Sequence, residues 1–360
     1  MSLPHLTIRS VEAVAVTVPL ARPIRTAVGT IPSAPLVLID IQTIEGPKGC
    51  AYIFAYAGVA LASLHQLVLD IGAELKQMSV APLDIMAHWD RRFRLLGWQG
   101  LVGMAVSGID MALWDALGRA ADKPVASLLG SAPKPILAYC SHGIVDPAVD
   151  GAMIEASLSQ GFRAIKIKIG DGDLAGDIAA MRMVRSIAGP EVRLMVDYNQ
   201  SLTVPEAIRR IRRLAEFDLH WAEEPVPAEN LTGHAEVRAA CGVPLQTGEN
   251  WWFPANMAAA IAAGASDHAM LDLMKIGGFT GWMQASALAA VRGMPVSSHI
   301  FVEASAHALA ATPTAHMIEY LDKAGVILLK PIAPEAGNIT ARGPGLGIEF
   351  DQKAVARFKS

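Results

Sequence analysis

Cysteine is scarce in this 360-residue chain: Cys50, Cys140 and Cys241 are the only three. An odd, scattered set in no metal-type spacing excludes a disulfide framework and a thiolate zinc site, and fits reduced thiols in a cytoplasmic protein. Positive charge is not in surplus either. Thirty Lys and Arg against 34 Asp and Glu leave a net charge of −4, so no basic field is available to attract a phosphate backbone. Nucleic acid is therefore not an expected partner. Long apolar runs are missing as well, since the alanine-rich stretch 256–265 is broken at Gly264, short of the roughly 18 residues that a membrane span needs. The opening MSLPHLTIRS lacks the basic, apolar and small-residue order of a signal peptide, and no membrane association is expected. Apolar residues are plentiful, at 52% against 18% charged, which implies a large core and surface buried between subunits. A homo-oligomer is expected on that ground.

The length exceeds the usual single domain, so two domains or a barrel with an appended domain are the candidates. The first third alternates at Val14, Val16 and Val18, passes through a Pro- and Gly-bearing loop from Pro19 to Pro35, and resumes at Leu36 to Ile41, a small meander sheet. Helical spacing follows from Gly108 to Ala120, where Ile109, Leu113, Ala116, Leu117 and Ala120 share a face and Asp122-Lys123-Pro124 ends it. Residues 1–130 read as an α+β domain. From about Ala138 short β-rich runs alternate with amphipathic helices: AIKIKIG, VRLMVDYN, LHWAEEP, VPLQTGEN, HAMLDLMKIGG and MPVSSHIF. The steps from Lys168 to Asp197, Glu223, Glu249, Asp272 and His299 are 29, 26, 26, 23 and 27 residues. That is close to the roughly 30 residues per βα unit of a TIM-type barrel, here over 131–325. A doubly wound sheet is weaker, because no Gly-rich phosphate loop follows the first strand. The segment 326–360, with Gly343, Pro344, Gly345 and Gly347, is expected to return to the first domain.

Each interval puts a charged residue at the end of an apolar strand, and in a barrel those ends converge on one mouth. A single strand-end acid is usually a helix cap or a solvated charge, but five in register are not. Asp197, Glu223 and Glu249 stand on consecutive strands and offer three hard oxygen ligands, which suits Mg²⁺ better than zinc. Of the neighbouring acids in WAEEP, Glu223 follows the inward phase and Glu224 is expected to point outward in an ion pair. Asn199 shares the face of Asp197 and either touches what the metal binds or serves as a turn residue. Lys166 and Lys168 project to one side of their strand, with Ile167 behind. Near a metal their mutual repulsion is expected to lower at least one pKa and make a neutral lysine base available, though KxK alone is a weak motif. Asp272 can hold one nitrogen of His299 while the other faces a substrate. Glu319, crowded by other carboxylates, is expected to stay protonated and donate a hydrogen bond.

GIDMALWDALGRAADKPVASLLG, the KxK of AIKIKIG, VDYNQS, the glutamate of WAEEP, GEN, DxMKIGG, SSH and AHMIEYLD together resemble the mandelate racemase subgroup of the enolase superfamily, essentially end to end. The resemblance implies an N-terminal α+β capping domain over a (β/α)7β barrel, a small-molecule carboxylate substrate, and a symmetric octamer or dimer. It implies Mg²⁺ on Asp197, Glu223 and Glu249, and two bases, with Lys168 facing the proton of an S enantiomer and His299 that of the R. Lys166 would neutralise the substrate carboxylate, Glu319 donate to it, Asp272 orient His299, Asn199 contact the hydroxyl and Ser141 the carboxylate. Substrate choice would lie with Ile24, Arg25, Val28, Ile31, Phe54 and Tyr56 of the cap, together with Ile300 and Leu321. Four positions depart from the family pattern. Cys140 replaces an acid, Arg25 a histidine, and Ile300 and Val302 replace Leu and Gln. The activity implied is racemisation of mandelate or a related aromatic 2-hydroxy acid. The alternatives are an acid-sugar dehydratase, in which His299 helps expel a β-hydroxyl, and a cycloisomerase or epimerase using Lys275 as base.

Overall fold

Residues 5–27 and 29–360 are described by the structure, a computed structural model. Three antiparallel strands open the chain in the order β1 (Ile8–Thr26), β2 (Gly29–Thr43), β3 (Lys48–Phe54). The expected loop from Pro19 to Pro35 is instead the far end of the β1–β2 hairpin. Pairing skips between Pro19 and Ile24, where prolines cannot donate, and then resumes through Ile24↔Ile31 and Thr26↔Gly29. Val28 lies outside the described residues.

Helices Gly58–Ala73, Pro82–Arg92 and Leu101–Ala120 complete the cap. Leu101–Ala120 is long and apolar enough by composition to cross a membrane, yet 83% of that window is buried inside the protein. It is the central helix of the cap. Small residues let it seat closely on the sheet: a Cβ added at Gly49 would come within 2.0 Å of the Ala112 carbonyl oxygen.

Eight parallel strands form the barrel: β4 (Ile136–Ile144), β5 (Ala164–Lys168), β6 (Arg193–Asp197), β7 (Leu219–Glu223), β8 (Leu245–Thr247), β9 (His268–Asp272), β10 (Val296–His299) and β11 (Ala315–Tyr320). Neighbours in that order pair, and β11 pairs with β4 to close the ring. The fold is the expected TIM-type barrel beneath an N-terminal cap. Connecting helices start and stop on local signals. Asp173 and Asn230 accept hydrogen bonds from Gly176 and Gly233, capping Leu174–Ala188 and Leu231–Cys241. The left-handed Gly242 and Gly264 end Leu231–Cys241 and Phe253–Ala263.

Tyr139, Ala164, Met195, Trp221, Met270 and Met317 fill the barrel interior as a wholly buried plug. Because strand side chains alternate, two residues further on each strand points the same way. Above the plug therefore stand Ser141, Lys166, Asp197, Glu223, Asp272 and Glu319, all buried.

Two acids of its central helix tie the cap down, Asp110 to a barrel helix and Asp115 to the last segment of the chain. Asp110 accepts from the Thr280 amide at 3.1 Å and its hydroxyl at 2.5 Å. Asp115 accepts from the amides of Cys50 (2.7 Å) and Leu346 (2.6 Å) and from Arg119 Nε (2.6 Å). The last segment serves both bodies: β12 (Asn338–Ile339) pairs antiparallel with β4, while Lys359 bridges to Val16 and the Ser360 amide donates to Ala15 on β1.

Candidate active site

At the C-terminal mouth the carboxylates of Asp197, Glu223 and Glu249 each bring an oxygen within 4.8 Å of the others, and all three residues are buried. Each is aimed by its neighbours. Asp197 accepts from the Asn199 amide (2.8 Å) and Nδ2 (3.1 Å) and from Lys168. Glu223 accepts from Lys166, Trp221 Nε1 (3.1 Å) and Gln246 Nε2 (3.0 Å). Glu249 lies 3.5 Å from His299 Nε2. Burial, and then the like charges of Asp197 and Glu249, push Glu223 up to about 7 against the pull of Lys166. Three buried carboxylates that repel one another are what a small hard dication neutralises, so these residues fit Mg²⁺.

His299 is held from behind. Asp272 Oδ2 contacts Nδ1 at 2.5 Å, while its Oδ1 accepts from the amides of Met274 (2.7 Å) and Lys275 (3.3 Å). Fixed at both oxygens, Asp272 selects the tautomer with hydrogen on Nδ1 and leaves Nε2 toward the mouth. Burial works against the imidazolium, but Glu249, Asp272 and Glu319 overcome it and raise the His299 pKa.

Three expectations change here. Among the protein's own groups the lysines are not driven toward neutrality: desolvation lowers them, but Glu223 and Glu319 raise Lys166 well above its ordinary value, and Asp197 raises Lys168. Carboxylates outweigh the lysine–lysine repulsion. Glu319 is not kept protonated either. Burial would raise it, but Lys166 at 3.0 Å, together with His299 and Lys168, holds it well below the carboxylate range, and the Ile300 amide donates to it at 3.0 Å. Glu224 does not point outward. A positive φ of 34° turns it inward, where it is 1% exposed and accepts from Asn250 Nδ2 at 2.6 Å. Strand parity fails because the strand has already ended.

A cavity of about 530 Å³ opens above these groups. Lys168, Glu249, His299 and Asn199 form its floor, and Ile24, Ile31, Phe54, Tyr56 and Leu321 stand on the lid side. Arg25 is not brought to it. Facing away from Ile24 and Thr26, it is half exposed, lies 3.9 Å from Asp171 and lines side cavities. Ser141, its buried hydroxyl unpartnered, lines one side cavity with Ile24 and Leu321. Ile300 is buried beside Glu303 outside the main cavity. Residues not singled out from the sequence also line the main cavity, among them Met104, Gln200, Asn250, Trp252 and Lys323. Asn250 had a visible signal, since it completes GEN beside a proposed ligand. Met104 and Trp252 come from a cap helix and a loop that meet only in three dimensions.

An eight-stranded parallel barrel with an acid triad at its mouth, under an antiparallel cap, is the arrangement of a metal-dependent enolase-type enzyme. The comparisons agree: residues 8–130 match the mandelate racemase / muconate lactonizing enzyme N-terminal domain and 151–354 the enolase C-terminal domain-like family. The chain belongs to this family, within the enolase superfamily, and is an Mg²⁺-dependent enzyme. It is 31% identical to 3,6-anhydro-alpha-L-galactonate cycloisomerase of Streptomyces coelicolor, covering 90% of this chain and 91% of that one. It is 34% identical to D-galactarolactone cycloisomerase of Agrobacterium fabrum, with the same coverage. Among solved structures, an enolase from Bradyrhizobium complexed with magnesium and mandelic acid is 53% identical over 100% of both chains, with a TM-score of 0.97.

Proposed function

We propose that the enzyme racemises mandelate or a closely related aromatic 2-hydroxy acid by two-base α-proton transfer. The observation that carries this is Lys168 and His299 in one cavity, on strands β5 and β10, which are three strands apart around the closed ring by way of β4 and β11. Their positions suit removal of a proton from one face of a carbon acid and its return to the other. With Asp197 given over to Mg²⁺, Lys168 would be released from that carboxylate to take the S enantiomer's proton, and His299 Nε2 takes the R enantiomer's. Asp272 holds the imidazole for that exchange. Lys166 neutralises the substrate carboxylate, Glu319 steadies Lys166, and Asn199 meets the α-hydroxyl. Mg²⁺ held by Asp197, Glu223 and Glu249 would stabilise negative charge as it develops on the substrate. The apolar wall of Ile24, Ile31, Phe54 and Leu321 suits an aryl ring, and the 53%-identical Bradyrhizobium protein carries mandelic acid.

The test is α-proton exchange in D₂O, with optical rotation, for each mandelate enantiomer in the presence of Mg²⁺. Exchange and loss of rotation from both enantiomers are expected; no exchange from either overturns the reading. The second reading is an acid-sugar dehydratase or cycloisomerase, favoured by the names of the curated relatives and by the cationic Lys275 and Lys323 in the same cavity. Formation of a 2-keto product from sugar acids would select it.

A further inference from the structure

Every lysine of the mouth but one is held. Lys166 is bound to Glu223 and Glu319, Lys168 to Asp197 and Lys275 to Asn250. Lys323, three residues beyond β11, is the exception. It is 9% exposed and lines the main cavity beside Leu321 and Phe54. Among the described residues its Nζ has no hydrogen-bond or ion-pair partner, only the face of Phe54, with the ring centroid 4.8 Å away.

A buried ammonium is ordinarily paired, because removing it from water without a counter-charge is costly. Burial pulls this one down to about 8, with Glu319 only partly opposing. The carboxylate nearest in the chain, Asp322, makes no ion pair with it and uses Oδ1 to accept from the amides of Ala324 and Gly325 at 3.1 and 2.7 Å. A cation kept open toward a cavity is best balanced by charge that the ligand brings. The carboxylate at the reacting carbon does not supply that charge, since on the proposed reading Lys166 and an Mg²⁺ held by Asp197, Glu223 and Glu249 would already neutralise it. Lys323 lies instead against the cap residue Phe54, whose ring is tilted against that of Tyr56 with centroids 4.7 Å apart.

We propose that Lys323 is a specificity-determining residue that binds a second carboxylate at the end of the substrate remote from the α-carbon. The preferred substrates are then 2-hydroxy diacids, either ring-carboxylated aryl acids or linear sugar diacids, both within reach in a cavity of about 530 Å³. The inference rests on the reading that this mouth deprotonates a 2-hydroxy acid.

Calorimetric titration of the Mg²⁺-loaded full chain with mandelate, 4-carboxymandelate and galactarate tests it, with α-proton exchange followed in parallel. At least one diacid is expected to bind tenfold or more tightly than mandelate, and which one does so identifies the aryl or the sugar source. In Lys323→Met the preference should fall below about threefold, and in Lys323→Arg it should persist, consistent with loss or retention of one charge-assisted hydrogen bond. Circular dichroism checks that both variants fold. Equal affinities in the native protein, no binding of any of the three, or a preference unmoved in Lys323→Met overturns the proposal, even where mandelate exchanges its proton. Loss of the diacid preference in Lys323→Met, in a protein that never exchanges mandelate, overturns the racemase reading alone.

Discussion

Two groups of buried carboxylates in this molecule behave in opposite ways. At the seam between cap and barrel, Asp110 and Asp115 are wholly buried and spend their oxygens on backbone amides, one hydroxyl and one arginine of the protein itself. At the barrel mouth, Asp197, Glu223 and Glu249 are buried too, yet they crowd one another, and Glu249 lines a cavity. Burial alone therefore does not mark a functional acid. What separates the two groups is where the uncompensated charge points: inward to partners at the seam, outward to a ligand at the mouth.

The contrast can be broken at its strongest point by stripping the metal. Chelation, or Glu223→Gln, should abolish turnover and Mg²⁺ binding while circular dichroism stays native; unchanged Mg²⁺ affinity in Glu223→Gln would remove that residue from the ligand set. Next in size, His299→Asn should cut racemisation by about 10³-fold, a general acid–base loss, while (S)-mandelate still exchanges its α-proton through Lys168. Exchange from the R enantiomer at the native rate would contradict the two-base reading. On the seam side, Asp115→Ala should leave the amides of Cys50 and Leu346 unpaired and cost about 3 kcal/mol in denaturant unfolding, without altering Mg²⁺ affinity in whatever fraction remains folded. A further effect concerns pH. Burial raises Asp110 from 3.8 to about 7, so the folded protein binds a proton there that the unfolded chain has released. That contribution is complete below pH 3.8 and is lost as pH rises through about 7. Asp110→Asn should flatten this part of the stability–pH curve, and an unchanged slope would mean that the native carboxyl is ionised.

The barrel and the triad were legible because each strand end repeats the same pattern at a nearly constant step, so five charged residues fall in register. Asp272 and His299 were readable for the same reason. Glu224 was misread because parity holds only while the strand continues, and the backbone turns at that residue. The charge states of Lys166, Lys168 and Glu319 were misread because adjacent residues on one strand were weighed, whereas the deciding charges arrive from strands 57 and 153 positions away, Glu223 and Glu319 measured from Lys166. The lid was only partly visible. Val28 lies outside the described residues, Arg25 turns to Asp171, and Met104, Trp252 and Lys323 reach the cavity through packing that no local period announces.

The segment that pairs with β4 through Asn338–Ile339 and ends on β1 at Lys359 and Ser360 has a practical consequence for anyone wishing to retarget this enzyme. Exchanging substrate lids between relatives by grafting only an N-terminal module would sever the cap from a clasp encoded more than 300 positions later. A functional chimera would have to carry both ends of the chain together, so the unit of inheritance for specificity is discontinuous in the gene although it is one body in space.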